Sequence, residues 1–223
     1  MTRFALPAAL ALALLASPAF AGSPLICWPV DTGGAETLPF GDDVMQRSPK
    51  YDVARLVDDV AARLAPSTPV LVRMETLRRA TLYAADHRDA APKLLAMLTS
   101  RALDAEAKGQ PDALAWFDAG YLASCFAEIG LDDAPKNGLR WIEKASALRG
   151  GDAEMEFAAY LVTLIHGESL AKQRARHLKA AALGAKEGSL LAKNLLERVG
   201  GEGAKSLAAL RAAAAAEPDG GGH

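Results

Sequence analysis

The sequence predicts an all-α protein in which helical hairpins stack as a repeat solenoid behind an irregular N-terminal segment. Apolar residues make up 51% of the 223 positions but aromatic residues only 6%, a composition that suits helices packed through small side chains. From residue 49 onward the apolar positions recur with the period of a helix. Capping residues and glycines separate the periodic stretches. A single hairpin cannot bury its apolar face alone, whereas several stacked hairpins can.

The first twenty-one residues are predicted to be a signal peptide and not part of the fold. Arg3 supplies positive charge, residues 4–16 are apolar, and a small-x-small cleavage site ends at Ala21. A membrane anchor would need about 20 consecutive apolar residues, but Pro18 and the Gly22-Ser23-Pro24 segment interrupt the run. We therefore expect a periplasmic or secreted protein whose mature chain has no transmembrane anchor.

Residues 22–48 are predicted to form an irregular but ordered segment, which we call the strap. Prolines at 24, 29 and 39 and the Gly33-Gly34 pair exclude a long helix. Five of its residues are too apolar for a disordered tail: Leu25, Ile26, Trp28, Leu38 and Phe40. We expect the strap to pack against the helices.

Residues 49–216 are predicted to form a domain of nine helices, and residues 217–223 a flexible tail. After the helix that begins at Pro49, the predicted helices span about 69–87, 89–109, 111–130, 133–150, 152–167, 169–184, 187–200 and 203–216. Cap residues such as Asp152 precede most of these helices, and glycines such as Gly109 follow them.

An internal repeat links the even-numbered helices. Tyr83, Tyr121, Tyr160 and Asn194 each lie near the middle of one, at spacings of 38, 39 and 34 residues. In a helical solenoid such positions lie side by side on the concave face, where tyrosines can anchor a partner peptide. The same side chains could instead fill the core between helices. Both interpretations remain open at this point.

Four segments carry a resemblance to a known repeat family: Asn137-Gly-Leu-Arg-Trp-Ile-Glu-Lys-Ala145, Asp152-Ala-Glu-Met-Glu-Phe-Ala158, His177-Leu-Lys-Ala-Ala-Ala-Leu-Gly184 and Leu191-Ala-Lys-Asn-Leu-Leu196. They resemble the Sel-one-like repeats, relatives of the tetratricopeptide repeat. The resemblance covers residues 111–216 well and 69–110 weakly. Ala123, Val162 and Leu196 stand where the family usually has glycine, and the first two spacings exceed its usual length. The resemblance implies protein–protein interaction or scaffolding, and it implies no chemistry.

Residues capable of chemistry are present, but their spacing favours no catalytic or metal site. The acid pairs are Asp42-Asp43, Asp58-Asp59 and Asp132-Asp133. Adjacent side chains on a helix point apart, so such pairs cannot converge on one bond. The histidines, at positions 87, 166, 177 and 223, lack the spacing of a zinc site. We therefore predict no catalytic residues, no metal and no cofactor.

The two cysteines, Cys27 and Cys125, leave two alternatives open. In an oxidising compartment an even number of cysteines permits a disulfide, here closing a loop of about 100 residues. Alternatively, Cys125 is a small buried hydrophobe and Cys27 a free thiol.

The favoured function is an exported binding or scaffold module that engages a protein or peptide partner through its concave face. Nucleic acid is not an expected partner, because the formal net charge is -2 and no broad basic face is present. One alternative is a small cell-envelope hydrolase, which would need acids or histidines converging in a cleft. Another is a carrier of a small apolar ligand, which would need an enclosed apolar cavity with the strap as its lid.

Overall fold

The computed structural model describes residues 22–131, 135–199 and 206–216. The predicted signal peptide, the Asp132-Asp133 pair and the predicted tail at 217–223 lie outside the described residues. Within these ranges the regular secondary structure is helical and no strand occurs. The prediction of an all-α protein is therefore confirmed.

The described ranges contain nine α-helices. They are α1 (Leu56–Arg63), α2 (Val70–Asp86), α3 (Ala90–Ala107), α4 (Ala113–Glu128), α5 (Gly138–Leu148), α6 (Ala153–Ile165), α7 (Ala171–Gly184), α8 (Leu190–Val199) and α9 (Leu207–Ala216). Short 3-10 turns at Val53–Arg55 and Gly167–Leu170 precede α1 and α7, so these two helices begin later than the sequence predicts. None of the helices described is long and apolar enough to cross a bilayer.

The helix ends follow from local chemistry at most of the predicted positions. The side chain of Asp112 at the start of α4, and that of Asp152 at the start of α6, each accept hydrogen bonds from two main-chain N–H groups. Asp89 precedes α3 but forms no such cap, and its carboxylate lies 3.0 Å from Lys93 Nζ instead. Gly109 and Gly130 follow α3 and α4 with φ of 70° and 65°, which only glycine adopts without strain.

The even-numbered helices form the inner layer of the fold. Consecutive helices pack in pairs, most extensively α4 with α5 and α6 with α7. In addition, α2 contacts α4, α4 contacts α6, α6 contacts α8, and α2 also reaches α6. Helices α2, α4 and α6 are buried almost all round, whereas α3, α5 and α7 keep an exposed face.

Two glycines allow α4 and α5 to approach closely. A Cβ atom on Gly138 would lie 2.2 Å from Ser124 Oγ and 2.7 Å from the Gly120 carbonyl oxygen. A Cβ atom on Gly120 would lie 2.8 Å from the Gly138 carbonyl oxygen. These distances are shorter than van der Waals contact, so larger residues would force the two helices apart.

Candidate functional site

The strap lies across the inner layer of helices and is bound there by polar side chains. These side chains come from three helices and form what we call the groove: Glu75, Arg78, Arg79 and Tyr83 of α2, Glu128 of α4, and Asn194 and Arg198 of α8. Their partners are mainly N–H and C=O groups of the strap backbone. The prediction of an ordered strap packed against the helices agrees with this arrangement.

Two carboxylates of the groove accept hydrogen bonds from main-chain N–H groups of the strap. Glu75 Oε2 lies 3.0 Å from the amide nitrogen of Val30. Glu128 Oε2 lies 3.1 Å from the amide nitrogen of Leu25. Burial raises the pKa of Glu128, although its bonds to the strap oppose that shift. Each carboxylate satisfies a strap N–H that would otherwise be buried without a partner.

Asn194 binds the main chain of Asp31 through both the oxygen and the nitrogen of its side-chain amide. Its Oδ1 accepts from the amide nitrogen of Asp31 at 2.9 Å, and its Nδ2 donates to the carbonyl oxygen of the same residue at 3.0 Å. Lys193, the preceding residue, places its Nζ 2.6 Å from the Asp31 carboxylate. The strap is therefore held at this point in both position and direction.

Two arginines of α2 donate to strap carbonyl groups. Arg78 Nη1 lies 2.8 Å from the Ile26 oxygen and 2.9 Å from the Val44 oxygen. Arg79 Nη1 lies 2.7 Å from the Leu38 oxygen. Because both guanidiniums are charged donors, these bonds are stronger than those between neutral groups.

Arg198 of α8 binds the strap in the same manner. Its Nη2 donates to the carbonyl oxygens of Trp28 and Pro29, the latter at 3.1 Å. Its guanidinium carbon lies 5.6 Å from the centre of the Trp28 ring, within the range of a cation–π interaction. Arg198 is only 4% exposed, and this burial lowers the pKa of its guanidinium.

Glu75 also compensates the charge of the neighbouring arginines. Its two carboxylate oxygens lie 2.8 and 2.9 Å from Nε and Nη2 of Arg78, and 2.7 Å separates Oε1 from Nε of Arg79. The Glu75 and Arg78 side chains are each only 1% exposed. A buried cation of this kind is tolerated only with a well-placed anion beside it.

Apolar side chains of the strap complete the contact. Leu25, Ile26, Val30 and Leu38 are all buried within the main hydrophobic core. At roughly 1.5–3 kcal/mol each, their burial stabilises the seated strap by at most about 6–12 kcal/mol. Trp28 differs from these four residues, because it remains 40% exposed, with its ring against the Arg198 guanidinium.

The four residues proposed as partner anchors do not lie on an open face. Tyr83, Tyr121, Tyr160 and Asn194 lie on α2, α4, α6 and α8, and each is at most 3% exposed. Of the two interpretations that the sequence leaves open, their burial agrees with the one in which they fill the core between helices.

Two members of this set bind the strap directly. The Tyr83 hydroxyl donates to the Pro39 carbonyl oxygen at 2.7 Å and accepts from the Ser48 amide at 3.0 Å. Asn194 makes the paired bonds described above. Tyr121 instead packs against Phe117 of the same helix, and the centres of the two stacked rings are 5.9 Å apart.

Cys27 and Cys125 carry free thiols in this structure. Cys125 lies fully buried in α4, and burial raises the pKa of its thiol well above the usual range. Cys27 is half-buried in the strap. Of the two alternatives left open by the sequence, the structure contains the one without a disulfide.

A polar cluster that the sequence did not reveal joins three helices. His177 of α7 places Nδ1 2.6 Å from Glu156 of α6 and Nε2 3.2 Å from Glu143 of α5. Ser146 Oγ donates to Glu156 at 2.5 Å, and Arg176 Nη2 donates to Glu143 at 2.5 Å. The spacing of Glu143 and Ser146 puts both on one face of α5, but only the packing of three helices brings the histidine to them.

This cluster does not have the arrangement of a hydrolytic site. The Ser146 hydroxyl donates to the Glu156 carboxylate and not to the imidazole, so the serine–histidine contact of a catalytic triad is not formed. Ser146 and His177 are each 2% exposed, which leaves no room for a substrate. Burial alone would raise the pKa of Glu156, but the bonds from His177 and Ser146 lower it. The cluster therefore stabilises the contact between helices.

One surface depression among the described residues is charged and open. It has a volume of about 440 Å³ and is lined by Arg101, Asp104, Ala105, Lys108, Gln110 and Asp112. These residues do not form the enclosed apolar cavity that a ligand carrier requires. Among the described residues, no group of histidine, cysteine and acidic side chains could hold a metal ion.

Comparison with known proteins gives no relative from which a role could be transferred. No family model, curated protein or solved structure matches this chain. The Sel-one-like resemblance therefore stays a prediction, and a function has to be argued from the groove itself.

Proposed function

We propose that this chain is an exported helical-repeat module that binds an irregular, non-helical segment of a protein partner on its concave face. The module's own strap takes the place of that segment in the structure. The proposal combines a repeat architecture, a groove for irregular polypeptide and export from the cytoplasm. Each of these has separate support.

The proposed architecture is a short solenoid of four hairpins, α2–α3, α4–α5, α6–α7 and α8–α9. The stepwise contacts from α2 to α4, α6 and α8 support it, since equivalent helices of stacked repeats pack side by side. The ladder from Tyr83 to Asn194, with one residue on each of these helices, supports it as well.

The observation that carries the binding role is that groove side chains bond to main-chain groups of the strap. Three arginines donate to five strap carbonyls, and two carboxylates and one amide accept strap N–H groups. Because every peptide carries the same main-chain groups, a groove of this kind fits a segment of another protein that follows the irregular path of the strap.

Export rests on residues 1–21, whose charge, apolar run and small-x-small site are those of a cleaved signal. Cleavage after Ala21 would make the strap the N-terminal segment of the mature protein in the periplasm or outside the cell. No cofactor or metal is required for this function.

The proposal can be tested by cleaving the peptide chain within the strap, so that the strap is no longer covalently joined to the helices but can stay bound in the groove. A recognition site for a specific protease is inserted between Asp42 and Asp43, both of which are exposed. After cleavage of the mature chain, residues 22–42 should co-elute with the helices in size-exclusion chromatography. In mild denaturant, a labelled synthetic peptide of the same sequence should replace them, as measured by fluorescence anisotropy.

A labelled peptide of the same composition in scrambled order is the control. It should bind much more weakly, because it no longer places apolar side chains at the buried positions of Leu25, Ile26, Val30 and Leu38. Circular dichroism monitors whether the cleaved protein stays helical. Failure of the native-sequence peptide to bind the cleaved, folded protein would contradict the proposal. Binding of both peptides with equal affinity would also contradict it.

A further inference from the structure

We infer that the groove selects non-helical segments that contain a proline next to an aromatic residue. The inference rests on the proposed function, because it specifies which peptides the same groove accepts. It is carried by two subsites of similar chemistry, one on α8 and one on α2. Each subsite places a guanidinium against an aromatic ring and supplies donors to carbonyls at a proline.

The α8 subsite consists of Arg198 and binds the pair Trp28-Pro29. One guanidinium nitrogen donates to the carbonyl oxygens of both residues. The Trp28 ring centre lies 5.6 Å from the guanidinium carbon. Arg198 is only 4% exposed, so its bonds to the two carbonyls are formed largely away from water.

The α2 subsite consists of Arg79 and Tyr83 and binds the segment Leu38-Pro39-Phe40. Arg79 donates to the Leu38 oxygen and the Tyr83 hydroxyl to the Pro39 oxygen, each at 2.7 Å. The Phe40 ring centre lies 5.3 Å from the Arg79 guanidinium carbon. The ring also meets that of Tyr83 edge to face at 5.9 Å.

Proline explains why the subsites are rich in donors. Proline has no N–H and keeps the residue before it extended, so an X-Pro unit offers two successive carbonyl acceptors and one fewer donor. A site that satisfies such a unit needs hydrogen-bond donors, which arginine and tyrosine supply. An aromatic ring beside the proline then uses the charge of the same arginine through a cation–π interaction.

The two subsites accept the aromatic residue on either side of the proline. It precedes the proline in Trp28-Pro29 and follows it in Pro39-Phe40, and the two prolines are ten residues apart. Between them, Glu75 and Asn194 bind the main chain at Val30 and Asp31. The partner we propose is therefore another exported polypeptide with aromatic–proline pairs about ten residues apart in a non-helical stretch that turns between them.

The cleaved full chain described above provides the test, with three labelled variants of the 22–42 peptide as probes. One carries Pro29→Ala and Pro39→Ala, and a second carries Trp28→Ala and Phe40→Ala. Each should bind at least roughly tenfold more weakly than the native peptide. The first loses the preorganisation that proline gives at both subsites, and the second loses the cation–π contact at both subsites. The third, Ala35→Ser at an exposed position, is the matched control and should bind with unchanged affinity.

The outcomes separate this inference from the proposed function. If the native peptide does not bind, the proposed function fails. If the native, proline-free and aromatic-free peptides bind equally, the groove exists but its selectivity is refuted. A stable dimer formed through exchange of straps between intact copies would also overturn the assignment to another polypeptide, and sedimentation of the uncleaved protein detects it.

A protein-side variant provides a second readout. Arg198→Lys keeps the charge but removes the planar guanidinium that serves two carbonyls and the Trp28 ring together. It should reduce the preference for the native peptide over a peptide carrying Trp28→Ala at least severalfold, with helicity unchanged by circular dichroism. An unchanged preference would contradict the role of the α8 subsite.

Discussion

Replacing Glu75 by glutamine tests whether the groove depends on a buried charge network. The carboxylate of Glu75 accepts bonds from Arg78, from Arg79 and from the strap amide of Val30. Glutamine has nearly the same volume, but it carries no charge and presents an NH2 group where one oxygen accepted bonds. The substitution therefore leaves Arg78 as a buried cation without its anion.

The expected loss is large because Arg78 cannot reach water. Its side chain and that of Glu75 are each 1% exposed, and removal of one partner from such a pair costs about 3–5 kcal/mol. With an m-value of about 2 kcal/mol/M in urea, this loss lowers the unfolding midpoint by roughly 1.5–2.5 M. The m-value itself should stay unchanged, because the folded protein remains equally compact.

The assay is urea unfolding of the mature chain at pH 7, followed by circular dichroism. Asp89→Asn is the matched control, because Asp89 pairs with Lys93 on the surface, where the side chains are 78% and 65% exposed. The control should leave the unfolding midpoint unchanged. A loss of less than about 1 kcal/mol for Glu75→Gln would refute the reasoning.

Three further substitutions test other parts of the structure. Gly138→Ala should destabilise the protein by about 1–3 kcal/mol in urea unfolding, because a Cβ atom there meets the α4 main chain at 2.7 Å; an unchanged midpoint would contradict the close approach. Burial raises the pKa of the Glu156 carboxylate, but the hydrogen bond with His177 outweighs this effect, and the pKa is lowered. Glu156 therefore stabilises the fold at pH values above the unfolded pKa of about 4.3. This stabilisation is lost as the pH falls through the lower folded pKa. Glu156→Gln should therefore flatten the decline of Tm at acid pH, and a parallel decline in both proteins would exclude the proposed pair. Asn194→Ala removes two bonds to Asp31 and should reduce the affinity of the cleaved chain for the 22–42 peptide by about tenfold; equal affinity would contradict that contact.

The helices and the strap could be predicted because local chemistry determines them. Asp112 and Asp152 cap α4 and α6 through side-chain bonds to residues two and three positions away. Glycine at 109 and 130 ends a helix through its own backbone conformation. Prolines at 24, 29 and 39 exclude a helix from the strap. Each of these signals lies within a few residues of the feature that it predicts.

The groove could not be predicted, because its chemistry depends on distant parts of the chain. Glu75 and Arg78 have the charges of a solvated helix face, yet they are buried by a strap about 45 residues earlier in sequence. No local period indicates that a charged face of α2 will be covered.

The four repeated positions, Tyr83, Tyr121, Tyr160 and Asn194, also show what sequence periodicity can and cannot predict. Periodicity correctly assigned these positions to successive even helices. It indicates which residues share a face, but not what covers that face. For this reason the sequence leaves both interpretations of these residues open. The His177 cluster was missed because its carboxylates come from two other helices.

The seating of the strap is tested most directly by hydrogen exchange of individual amides, measured by NMR on the intact mature chain. The amides of Val30 and Asp31 donate to the buried side chains Glu75 and Asn194, whereas Gly34 lies in an exposed turn of the same strap. After correction for intrinsic rates, Val30 and Asp31 should exchange at least roughly a hundredfold more slowly than Gly34. Exchange of all three at the rate of an unstructured peptide would contradict a strap bound in the groove.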